Sequence, residues 1–222
     1  MDKRRLTREQ IAKRIAKELR EGDVINLGIG IPVLVSNFVS PESEYIYHSE
    51  QGVLGMGSLA EPHEADPDLV NASKEPVTLV PGGSFSHSAD SFAMVRGKHI
   101  DVAILGGMQV SENGDLANWK VKDVGLGGIG GAMDIAIGAK SVYVAMTHTN
   151  KDGGPKIVKK LDYPVTALNC VSTIFTDMAV IEVTRDGLVL KEIAPGFTAE
   201  EVQKATEPKL ILSPNLKEIA IS

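Results

Sequence analysis

Cysteine is nearly absent from this chain: its 222 residues include one, Cys170. A lone thiol excludes an internal disulfide and any cysteine-rich zinc site. A basic excess is missing too. Lysine and arginine total 23 against 29 acidic residues, a formal net charge of -6, and they gather in no cluster of the kind that nucleic-acid binders carry. No apolar run approaches the ~18 residues of a membrane span, because glycines, prolines and charges interrupt every candidate. Nothing at the N-terminus reads as charged residues, an apolar run and a small-residue cleavage site in succession. The expectation is a soluble, cytoplasmic protein. Low-complexity linkers are lacking as well, and 43% hydrophobic residues can bury a sizeable core. One domain over residues 1–222 is expected.

What is present has the rhythm of an α/β protein. Thr7-Arg8-Glu9-Gln10 fits a capping box, and Ile11, Ile15 and Leu19 follow at helical spacing until Gly22, predicting an amphipathic opening helix. Short apolar runs at Val24–Leu27, Tyr45–Tyr47, Val77–Val80, Val102–Leu105 and Val142–Ala145 read as strands, several followed by glycine or a polar loop and then a helical stretch. Residues 179–193 alternate apolar and polar around Arg185-Asp186-Gly187, which predicts an antiparallel hairpin on an otherwise parallel sheet. Thr198-Ala199-Glu200-Glu201 is a second capping box before a last short helix. The fold class expected is a three-layer αβα arrangement around an open, mostly parallel sheet.

In open α/β sheets the working residues sit at the carboxyl edge of the strands. Four segments qualify: 26–32, 48–57, 81–88 and the glycine run 125–131. The glycine run contains Gly125-x-Gly127-x-x-Gly130, a bare match to the dinucleotide fingerprint, but the preceding 120–124 is charged and only marginally strand-like. A nicotinamide-dependent oxidoreductase is therefore a distant alternative. The same glycines also suit a helix start at Gly130-Gly131, offering bare N–H groups to something negative, or a plain packing turn.

Two Ser-Glu strings compete for attention. "SEQG" at 49–52 follows a strand and is trailed by Gly55 and Gly57, so a bulky ligand can approach Glu50 closely, as a covalent nucleophile requires; an exposed turn glutamate is the plain alternative. "SENG" at 111–114 runs into Asp115-Leu116 and reads as a surface β-turn, which makes Glu112 an ordinary turn residue. The five histidines show no metal spacing, and His48 reads as a strand-end residue.

"HSEQGVLGMG" at 48–57 resembles the active-site motif of the β subunit of 3-oxoacid coenzyme A transferases, whose usual form is Ser-Glu-Asn-Gly followed by two apolar residues and a small one. The resemblance extends to Ile25–Pro32, Val70-Asn71-Ala72, Ser91–Gly97, Gly114–Trp119 and Gly130–Asp134, nearly the whole chain. Position 51 departs from the pattern, being Gln where the family has Asn, while the intact string stands at 111–114. Context decides: Val53-Leu54-Gly55-Met56-Gly57 matches the segment that follows the family's nucleophile, and Asp115–Trp119 matches a different segment.

The resemblance implies a CoA-transferase fold, Rossmann-like in its layering, and a ping-pong exchange. In it Glu50 attacks an acyl-CoA to give an acyl–glutamyl anhydride, and the thiolate then returns to leave an enzyme–CoA thioester. A carboxylate needs no general base for this work. The resemblance further places Asn26 near the reacting carboxyl and Lys74 at the anionic part of the coenzyme; the N–H groups of Gly130 and Gly131, from the helix-start reading, are the candidate oxyanion donors, and Gly28, Gly30 and Gly131 are candidates to border the coenzyme. Coenzyme A enters as substrate and covalent intermediate, with no prosthetic group and no metal. The expected acceptor is a short 3-oxoacid such as acetoacetate or 3-oxoadipate, the donor succinyl-CoA or acetyl-CoA. The expected partner is an α subunit, in a heterodimer or α2β2 tetramer, without which this chain would be non-catalytic and only bind. Trp119 and Asn118 read as structural.

Overall fold

The computed structural model describes residues 5–39, 42–120 and 128–221. In chain order its elements are α1 (Arg8–Ala16), β1 (Val24–Leu27), a 3-10 helix (Pro32–Phe38), β2 (Ile46–Ser49), β3 (Val53–Leu59), β4 (Val77–Phe85) and α2 (Ser88–Arg96). Then come β5 (Val102–Gly106), β6 (Gln109–Ser111), β7 (Leu116–Ala117), α3 (Ala132–Gly138), β8 (Ser141–Met146), β9 (Ile157–Val158), β10 (Thr173–Thr176), β11 (Ala179–Thr184), β12 (Gly187–Ile193), α4 (Ala199–Lys204) and β13 (Leu210–Glu218).

Ten strands form one sheet in the order β13-β12-β11-β10-β8-β5-β1-β2-β3-β4, and β7-β6-β9 form a small second sheet. The centre of the large sheet is parallel, from β2 through β1, β5 and β8 to β10. Alternation along these strands builds two cores. On β5, Val102 and Ile104 face α1 and the 3-10 helix, whereas Ala103 and Leu105 face α2 and α3. Strands buried on both faces read as unbroken apolar runs, which is why β5 and β8 are visible in the sequence.

The predicted capping boxes at Thr7 and Thr198 are both formed, with each threonine hydroxyl accepting from the third helical N–H and that residue's side chain answering back. α1 ends at Ala16, earlier than the expected stop at Gly22, and a turn carries Leu19 into the core instead. Arg14 ties this helix to β12: its guanidinium donates to both carboxylate oxygens of the buried Glu192, at 2.6 and 2.9 Å. The expected hairpin is β11-β12.

Two expectations need correction. Antiparallel pairing is not confined to that hairpin, because β2-β3-β4 form a second antiparallel wing on the opposite side of the parallel centre. Consequently 53–57 and 81–85, expected as loops at the carboxyl edge, are strand. Glycine hides them: Gly55 sits at φ 83°, and a Cβ there would come 2.9 Å from Gly83 Cα, so the strands approach too closely for side chains. Pro81, which lacks an N–H, is tolerated because β4 is an edge strand.

Candidate active site

Glu50 occupies the turn between β2 and β3, at the carboxyl end of a parallel strand. The turn is held from several sides. Gly52 N–H donates to Ser49 O at 3.0 Å, and Gly52 O accepts from Ser86 N at 2.8 Å. Gly52 has φ 120°, and any Cβ would lie 2.2 Å from Ser86 O, so only glycine lets the turn dock against the entrance to α2. Ser91, in the first turn of α2, donates from Oγ to Ser49 O at 3.1 Å.

Two groups meet the Glu50 side chain and a third backs them. Asn26, 1% exposed on β1, directs its amide at Glu50 Oε2 at 3.2 Å and also donates to His48 O at 3.2 Å. Gly131, the N-cap of α3, packs beside it: a Cβ there would be 3.1 Å from Glu50 Cγ and 2.9 Å from Phe92 Cζ. His48, 2% exposed, lies behind, with Nδ1 at 3.3 Å from Asn26 Nδ2 and Nε2 at 2.8 Å from Ser91 Oγ. Burial pushes the His48 imidazole below its ordinary pKa, opposed by the nearby Glu50 carboxylate. In the sequence this histidine reads as a plain strand-end residue; its partners come from β1 and α2, so no local signal could reveal them.

The other expected site residues fall nearby or in supporting places. Gly130, with φ 51°, precedes the N-cap of α3, as the helix-start reading requires. The dinucleotide pattern's Gly125 and Gly127 lie outside the described residues. Gly28 donates to Ile104 O at 2.8 Å, and a Cβ on it would meet that same oxygen at 3.2 Å, so close packing of β1 on β5 explains the glycine. Gly30, at φ 91°, borders a cavity of about 280 Å³ with Arg8, Ser73 and Glu75.

That cavity brings the loop carrying Lys74 to the β1 turn. Lys74 is exposed, at φ 64°, on a tight loop organised by the buried Asn71, whose Oδ1 accepts from Ser73 N at 2.8 Å and Glu75 N at 3.1 Å. Gln51 connects this loop to the Glu50 turn, donating from Nε2 to Val70 O at 2.9 Å.

Glu112 has none of this company. It is exposed in a turn braced by Ser111, whose hydroxyl donates to Asp115 at 2.9 Å and accepts from Asn113 N and Asp115 N. Trp119 donates its indole N–H to Val165 O at 3.3 Å, a structural contact. The Cys170 thiol is pushed up to about 11 by burial and sits 3.8 Å from two carbonyl oxygens, which makes it a poor nucleophile. Among the described residues there is no group of three or more His, Cys, Asp or Glu able to hold a metal, and no helix long and apolar enough to cross a membrane.

A buried amide aimed at one carboxylate, on a turn that only glycines allow, suits covalent chemistry at a glutamate. The family model for coenzyme A transferase matches residues 8–205. The chain belongs to the coenzyme A transferase family. It is 48% identical over 209 residues to the β-type subunit of 3-oxoadipate CoA-transferase from Pseudomonas putida, covering 94% of this chain and 98% of that one. It is 50% identical over 200 residues to the β-type subunit of succinyl-CoA:3-ketoacid coenzyme A transferase from Helicobacter pylori, covering 90% and 96%. The human mitochondrial succinyl-CoA:3-ketoacid coenzyme A transferase 2 is 47% identical over 212 residues, and there the match takes 95% of this chain but 41% of the longer one.

Solved structures agree on the fold. An acyl-CoA transferase from Escherichia coli O157:H7, described as a thioester complex with CoA, superposes with a TM-score of 0.76 at 22% identity; the match takes 99% of this chain and 44% of that one. Glutaconate coenzyme A-transferase from Acidaminococcus fermentans gives 0.72 at 18%, covering 100% and 92%. The transferase is thus a mixed α/β enzyme of this family built on a large sheet, parallel at its centre.

Proposed function

We propose that this chain is the nucleophile-bearing β subunit of a 3-oxoacid CoA-transferase and that Glu50 carries the coenzyme as a glutamyl thioester. The observation that supports this best is the convergence of the Asn26 amide and the Gly131 backbone on the Glu50 side chain. A Glu50 carboxylate oxygen attacks the donor thioester, the C–S bond breaks, and an anhydride and CoA thiolate form. The thiolate attacks the glutamyl carbonyl, the donor acid leaves as a carboxylate, and the enzyme–CoA thioester remains. The acceptor acid then reverses the sequence.

Each addition places charge on an oxygen, and preorganised donors stabilise such oxyanions by a few kcal/mol apiece. Asn26 and the N–H groups at Gly130 and Gly131 fill that role. Lys74 supplies a cation for the acidic coenzyme, at the rim of the loop that Gln51 ties to the catalytic turn. Relatives that are each one subunit of a transferase support a partner chain, and relatives named for 3-oxoadipate and 3-ketoacids support a 3-oxoacid acceptor.

The test is to locate the covalent intermediate. The chain with its α partner is incubated with succinyl-CoA and treated with borohydride, and the reduced residue is found by mass spectrometry. Reduction at position 50, lost in Glu50→Ala together with turnover, is expected; a Glu50→Ala enzyme with full transfer would sink the mechanism. Assay of the isolated chain separates the shared-site view, since turnover without a partner would overturn it.

A further inference from the structure

We propose that His48 is a positioning residue for the transfer reaction: as a neutral imidazole protonated on Nε2, it fixes the Asn26 amide so that an N–H points at Glu50. The inference rests on Glu50 as the nucleophile. It is carried by the hydrogen-bond polarity of a connected set of buried groups. Ser91, 1% exposed, has one hydroxyl proton, and Ser49 O at 3.1 Å can only accept it. Ser91 Oγ therefore accepts from His48 Nε2 at 2.8 Å, which puts the imidazole proton on Nε2 and leaves a lone pair on Nδ1. That lone pair is 3.3 Å from Asn26 Nδ2.

The amide now has one satisfactory orientation. The two protons of its NH2 group are shared among three acceptors, His48 Nδ1, His48 O at 3.2 Å and Glu50 Oε2 at 3.2 Å. Rotated by 180°, it would set an acceptor oxygen against all three, and a buried mismatch of that kind carries the full desolvation penalty. Donation thus runs from the amide that faces Glu50, through the imidazole, to Ser91 on α2. Had Nδ1 carried a proton, a donor would oppose a donor, and only His48 O and Glu50 Oε2 would be left to hold the orientation against that clash. The groups facing the ring from β1 and α2, Asn26 and Ser91, are neutral; the charged neighbour is Glu50 at the end of its own strand.

His48→Leu removes both ring contacts, whereas His48→Gln supplies a neutral acceptor-donor pair that does not titrate. In the enzyme assembled with its partner, His48→Leu is expected to lower kcat about 10- to 100-fold with KM for both substrates within about twofold, the mark of a misdirected group at the reacting centre. The parent is expected to show an acid limb in kcat/KM as His48 protonates, and His48→Gln is expected to retain kcat within about fivefold and to lose that contribution. The proposal is overturned if His48→Leu turns over like the parent, or if the acid limb persists unchanged in His48→Gln. Should His48→Leu fail to fold, His48→Gln still decides through its pH profile. Borohydride trapping on the parent separates the two readings: no adduct at Glu50 removes the nucleophile, while an adduct there with an unaltered acid limb in His48→Gln removes the positioning role alone.

Discussion

Replacing Gly131 by alanine tests the geometry around Glu50 with a single methyl group. The backbone at Gly131 has φ -85° and ψ 2°, conformations any residue adopts, so the change introduces no backbone strain. Its entire effect is steric. The new Cβ would stand 3.1 Å from Glu50 Cγ and 2.9 Å from Phe92 Cζ. Carbon atoms rest at ~3.5–4.0 Å, so each neighbour must retreat by roughly 0.5–1 Å. Phe92 carries the Arg96 guanidinium 5.8 Å from its ring centroid, and Glu50 is held through its turn and by Asn26. Part of the displacement therefore falls on the carboxylate. A misplacement of ~1 Å at a reacting group costs on the order of 100-fold, so kcat should drop about 10- to 100-fold. Overpacking of this size costs about 1–3 kcal/mol of stability, leaving a folded enzyme. The measurements are initial rates of CoA transfer and the yield of borohydride-trapped adduct, with thermal unfolding as the control. Turnover within twofold of the parent would refute the placement of Gly131 against the nucleophile.

Glu112→Ala should transfer CoA at the parent rate, and a tenfold loss would show that the turn at 111–114 takes part in the reaction. Glu192→Gln should destabilise the fold by about 1.5–3 kcal/mol in urea unfolding, because it removes the charge that faces Arg14, whose side chain is only 12% exposed, and leaves Glu18 as its carboxylate partner; a change below about 0.5 kcal/mol would refute that role. Burial holds the fully buried His148 down at about 4, its ring packed between Thr176 and Thr206 hydroxyls at 2.8 Å. The unfolded chain binds that proton near pH 6.5, so the stabilisation is complete above 6.5 and is lost as pH falls toward 4, by about 3 kcal/mol. Unfolding free energies of the parent and His148→Gln should converge over that window, and parallel pH dependence would sink the assignment.

The parallel centre was legible because its strands are apolar on both faces and the capping box at Thr7 marked the helix that covers one of them. The second antiparallel wing was not. Its strands carry Gly55, Gly57, Gly82 and Gly83, and register shifts interrupt β3 at Leu54/Met56 and Met56/Leu59, so the period of two that betrays a strand is broken. The site divided in the same way. Glu50 is preferred to Glu112 on the family resemblance of the residues that follow it, and the structure gives two of those glycines a reason: Gly52 is required by contact with Ser86 and Gly55 by contact with Gly83. The Asn26–His48–Ser91 set could not be assembled, because three elements supply it and only the sheet brings them together.

Position 51, where the chain departs from the family pattern, acquires a physical reading from the same turn. Gln51 gives its amide to Val70 O, at the base of the loop that presents Lys74. Val70 also pairs with Pro76 across the neck of that loop, and Asn71 closes its interior, so the tether acts on a segment already rigid. An asparagine is shorter by one methylene, and from the same backbone its amide would fall short of an oxygen that Gln51 reaches at 2.9 Å. The longer residue therefore couples the Glu50 turn to the loop that carries Lys74, the two places the proposed mechanism assigns to the nucleophile and the coenzyme. On this argument Gln51→Asn should shift KM for the acyl-CoA more than kcat, because the tie it cuts runs toward Lys74 and not toward the reacting carboxylate. Steady-state rates with acyl-CoA varied at saturating acid measure the split, and a fall confined to kcat would show that position 51 acts on Glu50 itself.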